Sequence, residues 1–364
     1  MTTINAEVVA DSKNPWGDRI TSLLITFPRF ILAEVNTHRM LSKNTSSSRA
    51  IPFNKMLEKV QTDPFIPIAW QKHHPGMQGF DYLIDDHDVE VAKLTWLTGR
   101  DYAVDAAKDL YTCGVTKQLA NRQLEPYMWT TMLITGTNDG WNNFFNLRCP
   151  SYELETPVTK TKKVFRSRKD VIKSRSAFWD LDGRKNFDSY SEIDWLKLNT
   201  GQAEIHMMTL AECIYDAIQE SVPKELKEGN WHVPFGNKIP EVYWKSLTGE
   251  YDTKFPIPEM VKSSTSMAAR TSYTVVGDEK EVEWTKHFEL HDRLVNQKPP
   301  HSSPMEHCAQ VPTNEEYGSY IKGKCSFIDI PDMDTFLSLD TNSMGWFRNF
   351  KGFKPYRQII EENL

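Results

Sequence analysis

Between residues 20 and 49 the chain changes periodicity twice, and this unit constrains the fold more than any other stretch. Ile20-Thr21-Ser22-Leu23-Leu24-Ile25-Thr26-Phe27 sets Leu23, Ile25 and Phe27 on one face at period two, which reads as a strand. Pro28 suits the first turn of a helix, and Ile31, Val35 and His38 then recur at helical spacing. The helix therefore delivers His38 and Arg39 to its C-terminal end. There Thr37-His38-Arg39-Met40-Leu41-Ser42-Lys43-Asn44-Thr45-Ser46-Ser47-Ser48-Arg49 runs on with no aliphatic residue after Leu41. Two arginines and a histidine among hydroxyls can grip phosphate through charge-assisted, bidentate bonds. The same residues would also serve as a capped helix end followed by a solvated Ser-rich loop.

A length of 364 residues predicts one large or two modest domains. Eleven Trp, thirteen Tyr and eighteen Phe give ample material for a core. A formal charge of -6 argues against a general nucleic-acid binder, so a phosphate site has to be a local cluster of arginines. No apolar run approaches the roughly 18 residues of a membrane span. The opening MTTINAEVVADSKN lacks the basic-then-apolar layout of a signal peptide. Cys113, Cys149, Cys213, Cys308 and Cys325 are scattered and never form C-x-x-C, as suits a reducing compartment. The expectation is a cytoplasmic enzyme or binding protein.

Organisation follows from changes in pattern. Residues 1–150 read as one core unit that carries the polar 37–49 segment, a candidate nucleotide-binding stretch. Within it, 86–124 is largely helical with a break at Gly114, and Trp129–Ile134 is β-prone. Gly136-Thr137-Asn138-Asp139 supplies a turn with capping residues. Trp141, Phe144, Phe145 and Arg148 then share one face of a short amphipathic helix. Residues 151–200 crowd Lys160, Lys162, Lys163, Arg166, Arg168, Lys169, Lys173 and Arg175 without an apolar period, and read as a basic surface insertion ordered around Trp179 and Trp195. A core helix is expected in 201–222, a Pro- and Gly-bearing connector over 223–260, and a last unit over 261–364.

Three further segments carry candidate chemistry. In His301-Ser302-Ser303-Pro304-Met305-Glu306-His307, Ser303 can cap a helix with Pro304 at its first position and Glu306 as the capping-box partner. Such an N-terminus offers N–H groups to an anion, although a plain cap accounts for the same residues. The two histidines lack a third ligand at metal spacing, so no metal is expected. Arg122 and Arg148 each close a helical stretch, where a cation can simply compensate the helix dipole. Cys149 has no base beside it in sequence and reads as a buried thiol.

The spacing H-R-x-x-S-x-N-x-x-S-x-R over His38, Arg39, Ser42, Asn44, Ser47 and Arg49 resembles the signature of the flavin-dependent thymidylate synthases. Gln202-Ala203-Glu204-Ile205 looks like that family's short motif following the arginine equivalent to Arg148. Ala268-Ala269-Arg270-Thr271-Ser272-Tyr273 and His301–His307 are similar to the two motifs that open a conventional member, yet here they lie near the C-terminus. The chain thus looks circularly permuted, with 223–260 bridging the old ends. The resemblance covers most of the chain outside 151–200 and 223–260. It implies an α+β fold like that of the thymidylate-synthase-complementing proteins, an antiparallel-rich sheet flanked by helices.

The resemblance also implies roles. His38, Arg39, Asn143 and Ser303 would contact FAD, while Ser47, Arg49 and Arg122 would hold the nucleotide. Arg148 would bind the pyrimidine and favour its ionisation at N3, making C5 more nucleophilic. The reaction implied is dUMP to dTMP with methylenetetrahydrofolate and NADPH as cosubstrates, in a homotetramer whose sites draw on several subunits. The cofactor carries the one-carbon and hydride chemistry that side chains lack. Thr37 and Asp139 replace frequent arginines, Glu34 a frequent glutamine, and Thr45 a common acid. Either the permuted group re-routes its phosphate contacts, or the substrate is another pyrimidine nucleotide such as dCMP or a modified dUMP. A different class of expectation is a non-catalytic nucleotide- or nucleic-acid-binding protein using the basic 158–175 tract.

Overall fold

The computed structural model describes residues 1–75, 79–156, 159–174, 187–245, 258–273, 282–318 and 345–363. The first part supplies β1 (Asn5–Lys13), β2 (Arg19–Pro28), α1 (Leu32–Asn36), β3 (Ser42–Thr45), α2 (Phe53–Thr62) and α3 (Asp86–Thr112). It continues through α4 (Lys117–Ala120), β4 (Trp129–Thr137) and α5 (Asn138–Arg148). Next come β5 (Tyr152–Glu155), β6 (Lys162–Phe165), α6 (Arg168–Ser174), α7 (Glu192–Leu198) and α8 (Ile205–Glu220). The remainder holds β7 (Lys224–Glu225), β8 (Trp231–His232), α9 (Glu241–Lys245), α10 (Glu259–Arg270) and α11 (Trp284–Asn296). It ends with β9 (Ala309–Gln310), β10 (Trp346–Phe347), β11 (Phe350–Lys351), β12 (Lys354–Pro355) and α12 (Tyr356–Glu361).

The fold is α+β, built on a five-stranded sheet in the order β3-β4-β2-β1-β7. β2 pairs antiparallel with β4 from Ile20↔Thr137 to Pro28↔Trp129, β1 pairs antiparallel with β2, and β3 pairs antiparallel with β4. β7 adds to β1 in parallel. Alternation splits the sheet's side chains between two layers. On one side Leu23, Ile25, Phe27, Met132 and Ile134 pack against Trp141, Phe144 and Phe145 of α5 and Met207, Leu210 and Ile214 of α8. On the other, Val9 and Leu133 meet Phe235 and Ala268 of α10. Small side chains let α10 lie close: Ser263, Ser264, Thr265 and Ser266 are all fully buried.

Several local expectations need correction. Pro28 ends β2 and precedes a 3-10 turn, Arg29–Ile31, rather than sitting inside a helix. β1 lies ahead of the strand taken as first, and among its residues only Val9 and Ser12 are buried, so its apolar period is faint. The segment 223–260 adds β7 and β8 to two sheets and buries Val233, Phe235 and Ile239. Ser303–Glu306 is a four-residue 3-10 turn whose N-cap, Ser302, makes no side-chain cap bond. The capping box expected at Ser303 is absent because both of its side chains have long-range partners, described below.

Residues 151–200 have a core of their own. Tyr152, Leu154, Phe165, Val171, Phe187 and Trp195 cluster around the β5–β6 hairpin. Trp179 and Arg175 lie outside the described residues. The basic tract largely meets acids: Lys162 to Glu153 at 2.5 Å, Lys160 to Glu155 at 3.2 Å, Arg168 to Glu192 at 2.6 Å and Lys169 to Glu220 at 2.8 Å. Among the described residues, no helix is long and apolar enough to cross a membrane.

Candidate functional site

The polar stretch after α1 turns back to form β3, and this places its side chains. Leu41 anchors the turn: a Cβ on Gly136 would collide with its side chain, and one on Gly140 would lie 3.2 Å from it. The glycines of the β4–α5 junction therefore admit Leu41, and the residues either side of it are held against α5.

Asn44, nearly fully buried on β3, joins the separated motifs. Its Oδ1 accepts from Ser303 Oγ at 3.2 Å and Ser272 Oγ at 3.4 Å, and its Nδ2 donates to the Ala268 carbonyl. The Ser47 amide donates to the Ser272 carbonyl at 3.0 Å. Segments 37–49, 268–273 and 301–307 thus converge on one amide side chain. Satisfying a buried amide this way is worth more than the bonds suggest, since an orphaned buried polar group costs about 1–3 kcal/mol.

His38 sits beyond α1, buried, with its ring edge-on to Phe144 at 4.8 Å. Arg148 Nε donates to His38 Nε2 at 3.0 Å, and Arg148 Nη2 lies 3.5 Å from Thr37 Oγ1. Burial first, then Arg148 and Lys43, lower the His38 pKa to about 4. The imidazole is neutral at ordinary pH, as an acceptor at Nε2 must be. It can therefore aim the guanidinium without cancelling its charge. Lys43 donates to the His38 carbonyl, and burial lowers its own pKa to about 8 against the pull of Glu306.

Arg39 reaches a cavity of about 270 Å³ shared with Ser42, Glu306, Arg348, Asn349 and Arg357. The tip of the β10–β11 hairpin brings Arg348 there with left-handed backbone, φ 57°. Asn349 Nδ2 fastens that tip to Ser42 Oγ at 3.0 Å. Arg357 pairs with Glu306 and, at 2.8 Å, with Glu361. Glu306 is thereby turned away from its expected capping role.

Of the remaining expected residues, Asn143 and Arg49 are exposed, and Arg122 is exposed with Glu125 4.0 Å away. Among the described residues no hydrogen bond or ion pair joins Asn143, Arg49 or Arg122 to the Asn44 cluster. Cys149 is buried and burial pushes its thiol pKa up, so it is no nucleophile. Sequence reading missed a second buried chain of polar groups beneath the sheet. His232 Nδ1 meets Ser12 Oγ at 2.9 Å and His232 Nε2 meets Ser22 Oγ at 2.8 Å. Ser22 meets Thr135 at 2.6 Å, and Thr135 meets His307 Nδ1 at 2.8 Å. Hydroxyls at inward strand positions, Ser22 and Thr135, were the available signal.

No protein-family model matches the chain, and no curated protein matches it. Among solved structures, it is similar to a UMP/dUMP methylase, PolB, from Streptomyces cacaoi. In the form bound with 5-Br dUMP the identity is 11%, covering 60% of this chain and 91% of that one, at TM-score 0.39. In the form bound with 5-Br UMP it is 16%, covering 41% and 78%, at TM-score 0.33. Likenesses this weak leave the chemistry to be read from the chain's own residues.

Proposed function

We propose that the chain is a flavin-dependent, permuted thymidylate synthase that methylates dUMP at C5, with methylenetetrahydrofolate as carbon donor and NADPH as reductant. The observation carrying this reading is the meeting of three distant motif segments at Asn44. Arg148, steered by neutral His38, is the cation for a pyrimidine that becomes anionic at N3. A guanidinium already held in place loses little orientational freedom on meeting that charge.

The residues fit a flavin dinucleotide in part. Arg39, Arg348 and Arg357 around one cavity would suit its pyrophosphate, which would take the place of Glu361 and Glu306 on the last two. A cavity of about 270 Å³ does not enclose the whole group, so the rest would be held at a junction with another protomer of a homotetramer. When bound, the flavin supplies the redox chemistry and passes on the one-carbon unit. The chain's own residues orient the nucleotide and stabilise its charge.

One observation favours a second substrate. Glu34 Oε2 is buried and has no hydrogen-bond partner among the described residues, one turn before Thr37, whose Oγ1 lies 3.5 Å from Arg148. Turned toward the pyrimidine, that carboxylate would accept from the exocyclic amine of a cytosine, so dCMP is the alternative. Tritium release from 5-tritiated dUMP and 5-tritiated dCMP, with all cofactors present, separates the two. Release from dUMP is expected, whereas release from dCMP alone transfers the reading to cytosine and release from neither ends it. A flavin band near roughly 450 nm in the purified protein is the companion expectation.

A further inference from the structure

The loop between β3 and α2 carries Ser47 and Arg49, and its backbone is held from several sides. The Ser47 carbonyl accepts from the Ala50 and Ile51 amides at 2.9 and 3.2 Å, closing a tight turn. Arg29 Nη1 donates to the Ser46 carbonyl at 3.0 Å, and Lys117 Nζ to the Ala50 carbonyl at 2.8 Å. Asn121 Nδ2 donates both to the Ser48 carbonyl at 2.6 Å and to the Ile51 carbonyl at 3.1 Å. Those two carbonyls lie on either side of Arg49 in sequence, so one amide group fixes the turn that presents it.

Asn121 is fully buried, and its Oδ1 has no hydrogen-bond partner among the described residues. Rotating the amide would set that oxygen against two carbonyls, so the donors are fixed where they are. A buried oxygen left unpaired is costly. Among the described residues the side chain's bonds all go to the turn, so the turn is what this residue serves.

The apolar side of the junction works in the same direction. Ala120 ends α4, Leu124 lies in the 3-10 stretch Asn121–Tyr127 that follows, and both share a cluster with Ile51, Phe53 and Met56. Ser48, 1% exposed, gives its hydroxyl to Glu125 Oε1, and Glu125 also pairs with Arg29 at 3.1 Å. Ser47 is half-buried and Arg49 exposed, so Ser48 alone of the three is drawn inward. Arg122 follows Asn121 directly. The residue that holds the turn and a further cation expected on the nucleotide are therefore neighbours in the chain. On the opposite side, the bond from the Ser47 amide to the Ser272 carbonyl ties the turn to the Asn44 cluster.

We propose that Asn121 is a positioning residue for the nucleotide: by fixing the Ser48 and Ile51 carbonyls it sets where Ser47 and Arg49 stand relative to Arg122 before the phosphate arrives. The assignment rests on the reading that Ser47, Arg49 and Arg122 hold the nucleotide, and it is the same for a uracil or a cytosine base. A turn prepared this way acts on binding and not on the chemical step, because it reduces the freedom lost when the anion docks.

The test uses the full chain, with dUMP and dCMP followed by calorimetry and by tritium release. In Asn121→Ala the dissociation constant and the KM for the nucleotide should both rise roughly tenfold. Its kcat should stay within about twofold of wild type, with the flavin band kept. Asn121→Ser retains one donor and should fall between, and it is read in place of the alanine variant if that one does not fold. Val104→Ala trims the same apolar cluster without touching the turn, and should lose stability while keeping its KM. Unchanged nucleotide affinity in a folded Asn121 variant overturns the assignment, and so does a fall in kcat at unchanged KM. An equal rise in KM from Val104→Ala also overturns it, since the effect would then belong to the fold. Wild-type protein that binds neither nucleotide defeats the proposed function and removes this assignment with it. Wild-type binding that the Asn121 variants leave intact defeats the assignment alone.

Discussion

Residues 37–49 and residues 151–200 are both rich in cations and hydroxyls, yet the fold uses them in opposite ways. The first segment makes its bonds across the chain: Asn44 reaches Ser272 and Ser303, and Arg148 reaches His38. The second meets acids mostly within itself or on α8, with Lys162 on Glu153, Arg168 on Glu192 and Lys169 on Glu220. A charge neutralised by a nearby acid has little left to offer a ligand. One held in place by a neutral acceptor keeps its field. What separates the regions is therefore the reach of their polar contacts, which composition does not display.

The largest effect that could break this contrast is at Arg148. Arg148→Ala is expected to lower turnover by roughly 10²–10³-fold or more while the flavin band remains, since the residue acts on the pyrimidine. Tritium release and the visible spectrum of the same sample measure the two effects. Loss of flavin together with activity would reassign Arg148 to the cofactor. Its partner offers a sharper version: His38→Gln keeps a neutral acceptor and should retain far more activity than His38→Ala.

Asn44 comes next, and it tests stability rather than chemistry. Asn44→Ala leaves the Ala268 carbonyl and two hydroxyls without their partner in a buried place. A loss of about 2–3 kcal/mol is expected in urea unfolding. Ser303→Ala removes one bond and leaves Ser272 in place, so about 1 kcal/mol is expected. Equal, small effects from both would mean that the three segments do not depend on Asn44 to meet.

Much of the fold was legible because its elements are strongly periodic. β2 and α5 carry their apolar faces at period two and at helical spacing, and in α8 Leu210 and Ile214 recur one turn apart on the same principle. β1 was not legible, because a strand with so few buried positions has little pattern to show. Ser303 was misread for a different reason. Its local sequence satisfies a capping rule, but an acceptor 259 residues away competes for the hydroxyl and wins. His38 and Arg148 were each visible as candidates, whereas the bond between them spans 110 residues and has no local trace. Arg348 and Arg357 sit in a segment the motifs never pointed to, and only the folded hairpin brings them beside Arg39.

The buried histidines sharpen the contrast through pH. Burial lowers His232 and His307 from 6.5 to about 3, and His38 and His287 to about 4. Each is neutral in the fold, while in the unfolded chain it takes up a proton near its ordinary value. Their contribution is therefore complete above pH 6.5 and declines as the pH falls toward 4 and then 3. For the two fully buried rings the slope approaches about 1.4 kcal/mol per pH unit each. Urea midpoints taken from pH 7.5 down to about 4.5 should fall steadily, and a flat series would show that these rings are not held neutral. Ser22→Ala and Thr135→Ala, which cut the chain joining His232 to His307, should lower the midpoint without moving the pH at which the decline begins.

The smallest effect is expected in the insertion. Replacing Lys160, Lys162 and Lys163 together by Gln removes three positive charges from an exposed hairpin, where Lys160 meets Glu155 and Lys162 meets Glu153. Exposed pairs contribute little because solvent screens them, so melting temperature should not change measurably. The discriminating measurement is retention on immobilised single-stranded DNA at low salt. If neighbouring acids already cancel the tract's field, wild type and variant elute together. Strong wild-type retention that salt and the triple substitution both abolish would instead make the hairpin a nucleic-acid surface. Its ion pairs would then be exchangeable with phosphate, and the division between a ligand-facing segment and a self-neutralised one would fail where it was drawn.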